Sequence, residues 1–81
     1  MDIVKVKYLS DYVLSVEFDN TEKRIADFES FIKNSLQPMT NQFQDKKRFK
    51  KVYIENGRLT WEDGQMDISA KSIYDNEFSP Q

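Results

Sequence analysis

Between Ile3 and Phe18 the apolar residues fall on even positions, Val4, Val6 and Tyr8, then Leu14, Val16 and Phe18. A period of two belongs to strands that bury one face, so a hairpin of two antiparallel strands is expected. Setting Val6 opposite Val16 and Tyr8 opposite Leu14 leaves an odd number of residues around Ser10-Asp11-Tyr12, which predicts a three-residue loop or a bulge. The next turn, Asp19 to Glu22, returns the chain into Lys23-Arg24-Ile25. A four-residue loop there pairs Val16 with Ile25 and Glu17 with Arg24, whereas a two-residue turn opposes Glu17 to Glu22, two like charges. The longer loop is predicted.

Asp27 is placed to cap a helix over residues 27–35, with Phe28, Phe31, Ile32 and Leu36 on one face. Pro38 makes continuation costly, because the residue before a proline avoids the helical region. Residues 41–48 read either as a helical turn carrying Phe43 inward or as a loose connection. Asn56-Gly57 then gives the strongest local signal in the chain, a type I′ hairpin turn. It opposes Glu55 to Arg58, Ile54 to Leu59, Tyr53 to Thr60, Val52 to Trp61 and Lys51 to Glu62. One face collects Val52, Ile54, Leu59 and Trp61, and the other carries two opposite-charge pairs beside Tyr53 and Thr60. After Asp63-Gly64, Ser69 is expected to cap a short helix from Ala70 to Tyr74, with Ile68 and Ile73 at the spacing of a hydrophobic staple.

These elements make one α+β domain over residues 1–75, a meandering antiparallel sheet of two hairpins with an intervening helix and a short C-terminal helix. Residues 76–81 read as a mobile tail unless Phe78 docks. Strand order stays open, since two hairpins joined through a helix assemble in more than one way.

Composition narrows the chemistry. A chain of 81 residues buries about 60–65% of its unfolded surface, so the core is thin. One Trp, four Tyr and six Phe offset this, each bringing roughly 150–250 Å² of buriable surface. The sequence has no Cys and no His. That removes a disulfide framework, a thiol nucleophile, a zinc–thiolate site and the commonest general base. Ser residues have no His partner for a triad, and two Gly build no phosphate loop. No enzyme activity and no cofactor are expected. The N-terminus alternates apolar and charged residues, and no window approaches the ~20 apolar residues of a membrane span. A cytoplasmic location without membrane association is the expectation. A net charge of -2 argues against nucleic-acid binding through the overall field, leaving only a local patch.

That patch is Lys46-Lys47-Arg48-Phe49-Lys50-Lys51, five cations around one aromatic. Lys46, Lys47, Arg48 and Lys50 suit phosphates or an acidic partner. The competing reading is a solvated turn with Phe49 packed inward and Lys51 paired to Glu62. Glu62, Asp63 and Asp67 lack calcium-loop spacing and read as turn and cap residues. Trp61 reads as core. Tyr53, on the polar face, together with Tyr8 or Tyr12, is the aromatic expected at a partner surface.

The ordered set Phe18, Glu22 and Arg24, then Asp27-Phe28, Phe49 to Val52, Trp61, Gly64, Asp67-Ile68-Ser69 and Ile73-Tyr74 resembles a small bacterial family known as domain of unknown function 2442 (DUF2442). Asn20-Thr21 replace its usual Asp-Gly turn, and Ala70 replaces the Pro that begins its last helix. The resemblance implies a compact α+β fold with a meandering sheet and helices beside it. It also implies a small regulatory or partner protein, some members lying in antitoxin-like contexts and some joined to a helix-turn-helix domain not expected within these 81 residues. No catalytic residues come with it. The expectation is a non-enzymatic module that binds a partner protein, or a second copy of itself, through a sheet edge or polar face. The alternative is a nucleic-acid-associated regulator using the basic segment.

Overall fold

The computed structural model describes residues 1–78. Strands β1 (Ile3–Ser10), β2 (Val13–Phe18) and β3 (Lys23–Asp27) form one antiparallel sheet in the order β1-β2-β3. Strands β4 (Tyr53–Glu55), β5 (Arg58–Trp61) and β6 (Met66–Ile68) form a second, in the order β4-β5-β6. Between the sheets in sequence lie three short helices, α1 (Glu29–Lys33), α2 (Pro38–Asn41) and α3 (Lys46–Phe49), and the fold closes with α4 (Ala70–Tyr74). The sheets meet where the Ile3 amide donates to the Gly57 carbonyl at 2.9 Å.

The first hairpin has the expected register, Val6 opposite Val16 and Tyr8 opposite Leu14, and the expected irregularity falls between Tyr8 and Ser10. A second shift between Ile3 and Lys5 makes Val4 the extra residue of a bulge. Ile3 therefore takes the buried place that the even-position pattern assigns to Val4, which is 49% exposed. The turn into β3 also departs from expectation. Phe18 donates to Glu22 and Glu17 lies opposite Lys23, so the loop is three residues, Asp19-Asn20-Thr21, and not four. Asn20 stabilises the shorter loop by accepting from the Glu22 amide at 3.1 Å, while Thr21 adopts a φ of 70°. The frame moves by one residue. Arg24, not Ile25, faces Val16, Ala26 is buried, and Ile25 stands 67% exposed.

Phe28, and not Asp27, takes the cap position of α1; Asp27 stands one residue ahead of it, accepts from the Glu29 amide at 2.9 Å and so turns the chain into the helix, which ends at Lys33. The Asn41 side chain takes up the Ile32 carbonyl at 3.1 Å, and Pro38 opens α2 in its first turn, where it needs no amide. Leu36, expected on the buried face, is thereby left 88% exposed. The uncertain stretch after Asn41 is helical and carries Phe43 fully inward.

The second hairpin has the register read from Asn56-Gly57 over Tyr53 to Thr60, with both turn residues at positive φ. Val52 and Lys51 lie before β4, and Lys51–Glu62 is not among the ion pairs between described residues. A third strand, β6, was not anticipated. It pairs Thr60 with Asp67 and Trp61 with Met66, and Thr60, on the nominally polar face, is buried. Ser69 caps α4 as expected, its hydroxyl accepting from the Ser72 amide at 3.1 Å, with Ile68 and Ile73 buried on either side. Phe78 docks by stacking on Phe28, ring centroids 4.6 Å apart. Ser79, Pro80 and Gln81 of the tail lie outside the described residues.

The core is aromatic. Trp61 lies 5.8 Å from Phe49, 6.0 Å from Phe28 and 6.1 Å from Phe43, measured between ring centroids. Its indole N–H donates to the Phe49 carbonyl at 2.9 Å inside this cluster. Trp61→Phe is expected to lower stability by about 2–4 kcal/mol, part from the lost ring volume and part from the orphaned Phe49 carbonyl. A urea titration checks it.

Candidate functional site

Asp45 caps α3 through the Lys47 amide at 2.9 Å, and Phe49 points into the core, which fixes where the cations go. Lys46 and Lys50, one turn apart, reach back to the first hairpin. Lys46 Nζ is 3.0 Å from Asp11 Oδ1 and 5.7 Å from the Tyr12 ring centroid. The hydrogen bond and charge of Asp11 hold its ammonium above the ordinary lysine range. Lys50 Nζ lies 5.0 Å over Tyr8. Arg48 Nη1 donates to Gln42 Oε1 at 2.6 Å and Nε is 4.0 Å from Asp45. Among the described residues only Lys47 of these four has a head group with no such partner. The segment thus fastens α3 to β1 and its turn while its cations face water.

Tyr53 sits on β4 opposite Thr60 and is 38% exposed. Tyr8 is half-buried, with Phe49 6.3 Å from it. Tyr12 is no surface aromatic. It is 5% exposed, and its hydroxyl donates to the Gln44 carbonyl, because the bulged turn folds it under α3.

The structure brings forward a surface that the sequence reading passed over. On the outer face of the first sheet, the pairing aligns Lys5, Glu17 and Lys23 in one row and Lys7, Ser15 and Ile25 in the next. An open groove of about 680 Å³ runs over these rows to Ile54 of β4, lined also by Val4. No helix covers it. Three lysines stand against one glutamate, Lys23 and Glu17 being 3.9 Å apart, so this face is locally positive on a chain of net charge -2. The signal lay in the alternation itself, which sends Lys5 and Lys7 to the face opposite Val6 and Tyr8.

The acidic residues of the second sheet have structural duties. Glu62 and Asp63 form a 3-10 turn at positive φ, and Asp67, read as a turn or cap residue, is instead a strand residue 2.7 Å from Arg58. Glu22, Arg24 and Tyr74 meet where α4 touches β3. The Tyr74 hydroxyl donates to Glu22 Oε2, Arg24 lies 4.3 Å over the Tyr74 ring and donates to its carbonyl, and Phe18 meets the ring edge-on at 5.3 Å. The Tyr74 hydrogen bond holds the Glu22 carboxyl below the usual range, and the same bond raises the Tyr74 phenol. Among the described residues no three Asp or Glu converge as a metal site, and no helix is long and apolar enough to cross a membrane.

Two three-stranded antiparallel sheets with a few short helices, pinned at the Ile3–Gly57 bond, define a small α+β domain. The model of the family described as "Protein of unknown function (DUF2442)" matches residues 3–79, nearly the whole chain, and the chain belongs to that family. No curated protein and no solved structure matches it. Residues far apart in sequence are neighbours here: Tyr74 meets Phe18, Glu22 and Arg24 in the clamp just described, and Phe28, Phe49 and Trp61 share the core.

Tyr74→Phe removes the donor to Glu22, so the Glu22 carboxyl is expected to titrate at higher pH in the variant, read by carbon-13 NMR. A folded pKa below the unfolded one contributes stability that is present above the unfolded value and is lost as pH falls through the folded value. The variant should therefore lose part of the acid dependence of folding. An unchanged Glu22 titration contradicts the clamp.

Proposed function

We propose that this chain is a non-enzymatic cytoplasmic interaction module that binds a partner protein on the outer face of its first sheet. The observation that carries the reading is the uncovered cluster of Lys5, Lys7 and Lys23 around Glu17, with Val4 and Ile25 exposed beside it. Interfaces combine apolar contact with a polar rim, and a cationic face on an acidic chain selects an acidic partner by steering and by repelling basic ones. The lack of His and Cys supports a role without catalysis. The Tyr74 hydrogen bond holds the Glu22 carboxyl low, whereas a general acid needs the opposite. An antitoxin-like regulator that masks the product of a neighbouring gene is one form of this function.

Light scattering of the protein mixed with its neighbouring gene product tests it. A complex of fixed stoichiometry is expected, with affinity falling as salt rises. Lys5→Glu with Lys7→Glu is expected to weaken it by about tenfold or more, with only a small fall in the thermal transition from the like charge set opposite Glu17, since both side chains are solvated. A partner bound equally well by the double variant overturns this face as the site.

A second reading, nucleic-acid association, rests on Lys46, Lys47, Arg48 and Lys50 beside the half-buried Tyr8. It requires binding that weakens steeply with salt and disappears when those four become Glu. Salt-independent binding removes it.

A further inference from the structure

We infer that β3 is a self-complementary edge through which two copies of this chain pair antiparallel about a two-fold axis at Ile25. This goes beyond the partner reading, which uses the sheet face and is tested at Lys5 and Lys7; Lys23 and Ile25 border that face and also form this edge. The backbone sets up the edge. Phe18 donates to Glu22 and Phe28 donates to the Tyr12 carbonyl, bonds that bracket the β2–β3 ladder at both ends. Alternation then makes Val16 with Arg24 and Leu14 with Ala26 the hydrogen-bonded pairs, so the amides and carbonyls of Lys23, Ile25 and Asp27 point away from β2. Among the described residues no backbone bond outside the sheet ladder reaches Ile25 or Asp27, and the Lys23 carbonyl takes only an exposed bond from the neighbouring Arg24 guanidinium. Helix α4 meets β3 from the core side, through Tyr74 under Arg24 and Phe18, and leaves this edge open.

The side chains then select the occupant. In the register centred on Ile25, Lys23 stands opposite Asp27 of the second copy and Asp27 opposite its Lys23, with Ile25 against Ile25, all on the outer face. Arg24 stands opposite Ala26. Neighbouring registers fail, because a shift in one direction sets Lys23 against Lys23 or Arg24 against Arg24, and in the other sets Asp27 against Asp27 or Ile25 against Asp27. Ile25 is 67% exposed, the most exposed large apolar side chain in either sheet, and a second Ile25 would cover it. Asp27 Oδ1 accepts from the Glu29 amide, which leaves Oδ2 for the incoming lysine. Three paired residues supply about six backbone hydrogen bonds. The product is a continuous six-stranded sheet, β1-β2-β3 followed by its symmetry copy, whose outer face carries the Lys5 and Lys7 rows twice. An isologous contact of this kind closes as a dimer, and its short length places it at the weak, concentration-dependent end of interfaces.

Sedimentation equilibrium on the purified chain alone, from about 1 μM to about 1 mM, reads the association. The wild type is expected to move from monomer to dimer mass across that range. Ile25→Pro removes an amide that points outward and takes none from the β2–β3 ladder, so it should stay monomeric with the Trp61 fluorescence of the wild type. Lys23→Glu sets like charges together at both ends of the contact, and beside Glu17 within the chain at a small cost to the fold, and should weaken association about tenfold with the Trp61 fluorescence of the wild type, which keeps the test decisive if the proline variant misfolds. A wild type monomeric throughout, or a dimer indifferent to both substitutions, overturns the proposal. Lys5→Glu with Lys7→Glu leaves this association intact, so failure here is separate from failure of the partner reading.

Discussion

The structure depends on the Trp61 indole N–H held by the Phe49 carbonyl within a shell of Phe28, Phe43 and Phe49. A buried indole donor without a partner costs free energy, so the carbonyl at the end of α3 must be delivered to the middle of the fold with small error. That requirement places the helical linker. Asp45 starts α3, and two contacts, Asp11 with Lys46 and Tyr12 with the Gln44 carbonyl, hold this short segment against the first hairpin. With so few residues, burying aromatic rings is the most economical way to give two small sheets a shared core.

Spending every inner face on that core has a consequence for function. The cationic run at residues 46–51, the most conspicuous charge feature of the chain, is largely absorbed in fastening α3, whereas Lys5, Lys7 and Lys23 have no packing duty. The first sheet keeps one face and one edge open. The clamp of Phe18, Glu22, Arg24 and Tyr74 closes the core side of β3 against α4 and touches the edge through the Arg24 bond to the Lys23 carbonyl. The aromatic residues and the clamp therefore build the scaffold, and the open face and edge are built from other residues of the first sheet.

Much of this was legible in the chain because turn chemistry and burial period agreed. Asn56-Gly57 set the second hairpin, Ser69 with Ile68 and Ile73 set the last helix, and Val6 with Val16 set the first hairpin. The misses share a cause, which is that one added or removed residue inverts every side chain after it. The bulge at Val4 exchanged its place with Ile3, and the three-residue turn at Asn20, stabilised by a side-chain bond that spacing alone does not reveal, turned Ile25 outward. Strand β6 escaped because Met66-Asp67-Ile68 is three residues long beside strong turn and cap signals. For the site, the run of lysines was visible but its attachments were not, since Asp11, Tyr8 and Tyr12 lie far from it in sequence. The two lysines of β1 were visible as alternation and became a surface only when Glu17 and Lys23 were set beside them.

Amide hydrogen exchange, resolved by residue on dilute protein, tests most directly the claim that a core centred on Trp61 leaves the β3 edge of the first sheet free. The account predicts the slowest exchange in β5, which is bonded on both sides, protection at Arg24 and Ala26, and fast exchange at Ile25 and Asp27. Protection at Ile25 equal to that at Ala26 in the monomer would contradict it, because that edge would then be covered by the chain itself.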